Sequence, residues 1–302
     1  MYKNNKGEKI MDKKCNMCPF KCNVTRENGN LGVCKIGNKI KVSKVSTHLW
    51  EEPCISGTKG SGAIFFTGCN LRCLFCQNYK ISREACKGEE ISEEDLANIF
   101  LEKQKEGVHN INLVSPTSYT EYIKNSIIIA KKKGLKIPIV YNSNGYENVE
   151  TLKTLEGLID VYLPDFKYAD DTIAKEYSGA INYTKNAVLA IKEMYRQVGN
   201  AKFNKDGIIE KGIIIRHLVL PNNIENTKKV LEIIANEIDK EVYVSLMGQY
   251  IPKDNAVKCE KLNRKVAKEE YDEAIEYFFE VGLKNGFTQE LSSASDEYIP
   301  DF

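Results

Sequence analysis

The segment Gly68-Cys69-Asn70-Leu71-Arg72-Cys73-Leu74-Phe75-Cys76-Gln77-Asn78 carries three cysteines, separated by three and then two residues. The run before it, 61–67, is aliphatic and aromatic, so the thiols leave the end of a strand on one tight loop. Three thiolates so placed can hold three irons of a cubane iron–sulfur cluster, one cysteine to a corner. The fourth iron is then open to bind a substrate directly, whereas a fourth protein ligand would make the cluster chiefly an electron store. A zinc knuckle is the ordinary alternative, but it needs one more Cys or His nearby, and Cys86 is the only local candidate.

A second set, Cys15, Cys18, Cys22 and Cys34, is spaced by two, three and eleven residues, with Pro19 and Gly32 shaping turns. Four thiols at such spacing close a structural zinc site or hold a second iron–sulfur cluster, and the spacing serves both. A chain that already takes one cluster leans the set toward a second. Cys54, Cys86 and Cys259 read as structural, although Cys54 lies close in sequence to the first strand.

These thiols need a scaffold, and the rest of the chain supplies a regular alternation. Strands are expected at 61–67, 111–114, 137–141, 158–163, 212–219 and 242–246, all flat in periodicity and rich in aliphatic residues. Helices are expected between them: one capped by Ser92, then 120–133, 149–156, 183–198 and 225–238, with 268–284 after the last strand. Six such units imply an α/β fold, a partial (β/α)6 TIM-like barrel with a parallel sheet and right-handed crossovers. Chemistry in such barrels sits at the C-terminal ends of the strands. The expected organisation is an N-terminal cysteine-rich, metal-binding extension at 1–59, the barrel at 60–290 and a C-terminal tail at 291–302.

Composition narrows the partners. Forty-three Lys+Arg against forty-two Asp+Glu leave a net charge of +1, without a long one-sign block, so nucleic acid is not the favoured partner. Residues 1–14 lack the apolar stretch of a secretory signal, and the longest aliphatic run is 127–129, so a cytoplasmic protein with no membrane partner is expected. Ten cysteines in a reducing compartment point to metal binding rather than disulfides.

Phe75, just before the third cysteine, makes the loop resemble the signature of the radical S-adenosylmethionine (SAM) enzymes. Further blocks extend the likeness: Glu51-Glu52-Pro53-Cys54-Ile55-Ser56-Gly57-Thr58, His109-Asn110-Ile111-Asn112-Leu113-Val114, Pro164-Asp165-Phe166-Lys167 and Arg216-His217-Leu218-Val219-Leu220-Pro221. From about Cys15 to Gln289 the chain resembles the branch related to pyruvate formate-lyase activating enzyme, the PflX-type proteins. That resemblance implies a 4Fe–4S cluster on Cys69, Cys73 and Cys76, with SAM chelating the open iron through its amino and carboxylate groups. One electron then yields methionine and a 5′-deoxyadenosyl radical that takes hydrogen from a substrate. It also implies a low-potential donor such as flavodoxin or ferredoxin and, as one possible partner, a glycyl radical enzyme in an oxygen-free setting. A small molecule or a peptide is the alternative substrate.

The remaining strand ends supply candidate contacts to SAM. Many radical enzymes carry Gly-Gly-Glu after strand two; here Val114-Ser115-Pro116-Thr117 stands instead, so Ser115, Thr117 or a main-chain carbonyl replaces it, or the loop is only a capped turn. Asn142 and Ser143 can hydrogen-bond a ribose or a carboxylate, though such residues also form ordinary turns. Asp165 and Lys167, two apart on a strand, share a face and can grip a zwitterion, resembling the strand-four motif of glycyl-radical-enzyme activases. Arg216 inside an apolar strand demands an anionic partner, and a bidentate clamp on the methionyl carboxylate is the expected one. His217 points to the opposite side as a packed, hydrogen-bonded histidine. Gln249 is expected at the mouth beside adenine or substrate, with Met247 and Tyr250 as packing. An iron–sulfur electron-transfer protein is the rival class, and it leaves Arg216 and the Asp165/Lys167 pair without a purpose.

Overall fold

A computed structural model describes residues 14–83, 87–289, 291 and 302. Its strands are β1 (Ile40–His48), β2 (Ser61–Phe66), β3 (Glu89–Ile91), β4 (Ile111–Val114), β5 (Ile139–Ser143), β6 (Val161–Pro164), β7 (Lys202–Phe203), β8 (Ile209–Leu218), β9 (Tyr243–Met247) and β10 (Gly286–Thr288). They form one sheet ordered β10-β9-β8-β6-β5-β4-β2-β1-β3, with β7 paired only to β8. β2, β4, β5, β6, β8 and β9 pair in parallel succession, and these are the six expected strands. β1 runs antiparallel to β2 and β3 antiparallel to β1. Among the described residues the two ends of the path do not pair, which leaves the partial barrel open.

The helices are α1 (Pro53–Ser56), α2 (Tyr79–Ser82), α3 (Glu93–Glu106), α4 (Thr120–Lys132), α5 (Val149–Lys153), α6 (Asp171–Ser178), α7 (Tyr183–Val198), α8 (Ile224–Ile233) and α9 (Lys268–Glu280). Local chemistry explains their ends. Ser92 Oγ accepts from Asp95 N at 3.1 Å while Asp95 Oδ2 accepts from Ser92 N at 3.0 Å, so α3 opens on a capping box. It closes on Gly107, whose φ of 86° is cheap only for glycine. None of the described helices is long and apolar enough to cross a membrane.

Several elements depart from expectation. β5 begins at Ile139, after Pro138, and β6 begins at Val161, after Asp160 turns its carboxylate back to Ile139 N at 2.9 Å. β1 went unread because its register shifts between Val42 and Lys44, which breaks the period-two pattern. Two helices, α6 and α7, fill the β6–β8 connection where one was expected, and α9 stops at Glu280 so that β10 can add to the sheet edge.

Apolar side chains divide between the two faces. Outside, the main core packs the helices on the sheet through buried residues such as Phe100, Ile127, Ile191 and Leu231. Inside, Val140, Val161, Leu163 and Ile214 surround Cys54 and Ile55 of α1. Because His48 at the end of β1 pairs with Ser61 at the start of β2, the chain enters the lumen from the end opposite the cysteine loop. There α1 plugs the barrel. Ile55 is fully buried in that plug, so Ile55→Ala, followed by urea denaturation, is expected to cost roughly 2–5 kcal/mol.

Candidate active site

The cysteine loop is held from both sides. Leu74 N donates to Tyr177 O at 2.8 Å and Arg72 N to Ser178 O at 3.3 Å, so the C-terminal end of α6 pins it. Asn70 Nδ2 donates to Tyr146 O at 2.8 Å, tying the loop to the end of β5. Arg83 hydrogen-bonds Cys73 O and forms an ion pair with Asp254. Phe75 is buried, edge-on to Tyr168 and Tyr250 at 6.4 and 6.2 Å.

Cys69, Cys73 and Cys76 all line one cavity of about 240 Å³ at the C-terminal ends of the strands. Each sulfur has a polar neighbour: Asn144 Nδ2 donates to Cys69 Sγ at 3.3 Å, Ser178 Oγ to Cys73 Sγ at 3.0 Å, and Ser82 Oγ lies 3.2 Å from Cys76 Sγ. Burial pushes the Cys69 and Cys76 thiols up, and the neighbouring thiols push the same way. Positive charge brought beside them would push the other way. Among the described residues no three Cys, His, Asp or Glu side chains converge on a single metal ion. Three sulfur donors on one wall fit a cluster held one corner to each cysteine. Cys86 lies outside the described residues.

Ser115, Asn142, Ser143, Asp165, Lys167 and Arg216 line the same cavity, as do Phe75, Met247 and Gln249. Thr117 does not. Its hydroxyl is buried behind β5 and donates to Glu147 Oε1 at 2.6 Å. Gly145 forms the tight passage after β5; its φ is 73° and a Cβ would meet Asp165 O at 2.3 Å.

Arg216 organises the cavity wall. Its Nε donates to Asp165 Oδ1 at 2.8 Å, Nη1 to Glu51 Oε2 at 3.1 Å and Nη2 to Asn142 Oδ1 at 2.6 Å. Lys167 Nζ donates to Asp165 Oδ2 at 2.6 Å. Burial alone would push the Asp165 carboxyl up, but Arg216 and Lys167 together hold it below its ordinary range. The anions that the buried guanidinium requires are thus in the protein itself. Glu51 is also held by Asn112 Nδ2 at 3.0 Å and Asn142 Nδ2 at 3.2 Å. Sequence spacing did not disclose Glu51 or Glu52, although both stand in one of the blocks that carried the family likeness.

His217 faces away from the cavity. Its Nδ1 donates to Phe166 O at 2.7 Å, which leaves Nε2 to accept from Thr227 Oγ1 at 3.0 Å. Burial pulls it down to about 4, so it stays neutral. Tyr250 is buried and donates to Leu262 O at 2.7 Å.

The N-terminal cysteines lie on the same side of the barrel. Cys15 N donates to Val24 O at 2.9 Å and Lys21 N to Cys18 O at 3.0 Å, folding 15–24 into a compact turn. Gly32 packs so closely on it that a Cβ would meet Cys22 Sγ at 2.7 Å. Phe20 packs edge-on to Tyr146 at 5.4 Å, and Asn148 Nδ2 donates to Asn16 O at 3.0 Å. Arg26 donates to Ser118 O at 2.8 Å and to Cys34 Sγ at 3.5 Å. Cys18 is pushed up to about 12 by burial.

The chain has relatives among known proteins. Residues 63–209 match the radical SAM superfamily. The chain is 33% identical over 279 residues to the uncharacterized protein MJ0674 of Methanocaldococcus jannaschii, spanning 87% of this chain and 74% of that protein. A second relative from that organism, the uncharacterized protein MJ0808, is 24% identical over 253 residues, spanning 78% of this chain and 70% of that one. Among solved structures, Streptococcus suis SuiB bound to S-adenosylmethionine superposes with a TM-score of 0.51 at 16% identity, over 76% of this chain and 50% of SuiB. The chain thus spans about half of SuiB, and that likeness concerns the fold. This chain belongs to the radical SAM superfamily, and membership implies a 4Fe–4S cluster and SAM.

Two outcomes follow from the buried charges. Arg216→Ala strands Glu51 and leaves Asp165 with Lys167 alone, so it is expected to lower unfolding free energy by about 3–5 kcal/mol in a denaturant titration. Glu147 is held up at about 7 by burial, against an ordinary value of 4.5. The folded chain therefore keeps a proton that the unfolded chain releases, and stability falls as pH rises from about 4.5 to about 7. Glu147→Gln is expected to remove that slope, a difference of about 2–3 kcal/mol across the window relative to the parent protein.

Proposed function

We propose that the protein is a radical SAM oxidoreductase in which Cys69, Cys73 and Cys76 hold the 4Fe–4S cluster. The observation that carries this is three thiols and a buried Arg216–Asp165–Lys167 network lining one cavity at the strand ends. When bound and reduced, the cluster supplies the electron that splits SAM into methionine and a 5′-deoxyadenosyl radical. The protein's own groups bind and orient. Lys167 presents a cation on the cavity wall for the methionyl carboxylate, because three donor groups of Arg216 already serve Asp165, Glu51 and Asn142. Arg216 then acts on SAM mainly by holding Asp165 and Lys167 in place. Ser115 and Ser143 offer the hydrogen bonds for amino group and ribose, Asn142 being held between Arg216 and Glu51, and Gln249 the contact to adenine or substrate. Thr117 holds Glu147 instead. Asn144, Ser178 and Ser82 tune the sulfurs, and buried aromatics around Phe75 exclude water.

The hydrogen donor is a small molecule or a peptide reaching into the cavity; its charged, hydrogen-bonding floor favours a polar substrate over a glycine carried by a partner enzyme. The N-terminal Cys15, Cys18, Cys22 and Cys34 form a second metal site, docked through Phe20 and Tyr146 onto the loop that carries Asn70. Flavodoxin or ferredoxin in the cytoplasm is the fitting electron source.

Anaerobically reconstituted, reduced protein mixed with SAM should release 5′-deoxyadenosine, measured by chromatography. Cys76→Ala is expected to abolish it together with the visible absorbance of the first cluster. No product under strong reductant would sink the reading. Iron analysis of the same preparation decides the second site: about eight irons per chain mean a second cluster, and about four with zinc mean a structural zinc.

A further inference from the structure

The cavity network leaves one acid over. Arg216 and Lys167 are matched by Asp165 and Glu51, but Glu52, which also lines the cavity, is 7% exposed. Its Oε2 has no hydrogen-bond partner among the described residues, and neither do the buried Ser245 Oγ and Asn112 Oδ1. Burial pushes the Glu52 carboxyl up and Glu51 adds to that, while the charge of Arg216 and the Ser245 hydroxyl beside it pull it back. A carboxylate oxygen buried without a hydrogen bond weakens the fold, so its presence calls for a donor that the free protein lacks.

We propose that Glu52, on the cavity wall, forms with Ser245 a substrate subsite for a protonated nitrogen, an ammonium or guanidinium group. Glu52 Oε2 and Ser245 Oγ are oxygens able to accept, and such a cation brings several N–H donors and a positive charge. An anionic substrate would add charge to an acid that is already uncompensated. Topology separates this subsite from the cluster. Glu52 enters from the β1 end of the barrel, where His48 pairs with Ser61, whereas the thiols follow Phe66 at the other end of β2. A cation on Glu52 therefore lies across the cavity from the thiol wall.

This inference rests on the radical SAM reading, and its test separates the two. Thermal unfolding of the reconstituted full chain is measured with n-butylammonium chloride, sodium butyrate, n-butanol and potassium chloride at equal concentration. Butylammonium alone is expected to raise Tm by a few degrees, and Glu52→Gln is expected to lose that rise while being no less stable than the parent when free. Ser245→Ala should reduce the rise without unfolding the protein. An equal rise with potassium, or an undiminished rise in Glu52→Gln, overturns the subsite. So does a loss of SAM affinity in Glu52→Gln as large as the loss of butylammonium affinity, which would assign the acid to the cofactor. Protein that makes 5′-deoxyadenosine but ignores butylammonium overturns the subsite alone. Protein that responds to butylammonium but makes none overturns the radical reading and supports the cation site.

Discussion

A guanidinium buried inside an apolar barrel must be neutralised, and much of this lumen is arranged around that requirement at Arg216. Its position on β8 puts it beside Asp165 at the end of β6 and Asn142 at the end of β5, within reach of Glu51 rising from the segment ahead of α1. Pairing of this kind repays desolvation only where the remaining hydrogen-bonding capacity is also met. Asp165 meets it with Lys167, and Glu51 with the amides of Asn112 and Asn142. Four parallel strands, β4, β5, β6 and β8, and the lumen plug are thereby fixed to one another by a handful of polar atoms.

The same network links fold and chemistry. Because Asp165 is shared between Arg216 and Lys167, the lysine is held on the cavity wall rather than free to fold back onto the thiols. The cysteine loop draws its shape from another element, the end of α6, through Tyr177 and Ser178. The cysteine loop and the charged cavity wall thus have separate supports that meet at the strand ends, where parallel barrels concentrate function. The plug of Cys54 and Ile55 fills the lower lumen with apolar contact and leaves the polar volume above it.

Much of the architecture was legible because it depends on local pattern. Six flat apolar runs separated by amphipathic stretches announced six parallel strands, and Ser92 with Asp95 marked a helix start to the residue. Elements that escaped were those whose pattern was interrupted or too short: β1 with its shift at Val42 and Lys44, three-residue β10, and α6 within a polar loop. The site was legible by residue type. Arg216 announced that an anion must lie nearby, and Asp165 and Lys167 announced a shared face. Thr117 illustrates the limit, since a threonine on the right loop can turn either way and this one turns to Glu147.

By itself the sequence determined the cysteine spacing, the β/α alternation and the need for an anionic partner to Arg216, because each follows from short-range geometry or from the cost of burying charge. The tertiary structure decided which anions answer that need. Glu51 lies 165 residues from Arg216 along the chain, and no periodicity connects the two. It also decided that Glu52 Oε2 has no hydrogen-bond partner among the described residues, since satisfaction of a buried acid is a sum over neighbours such as Arg216 of β8 and Ser245 of β9 that only folding brings together.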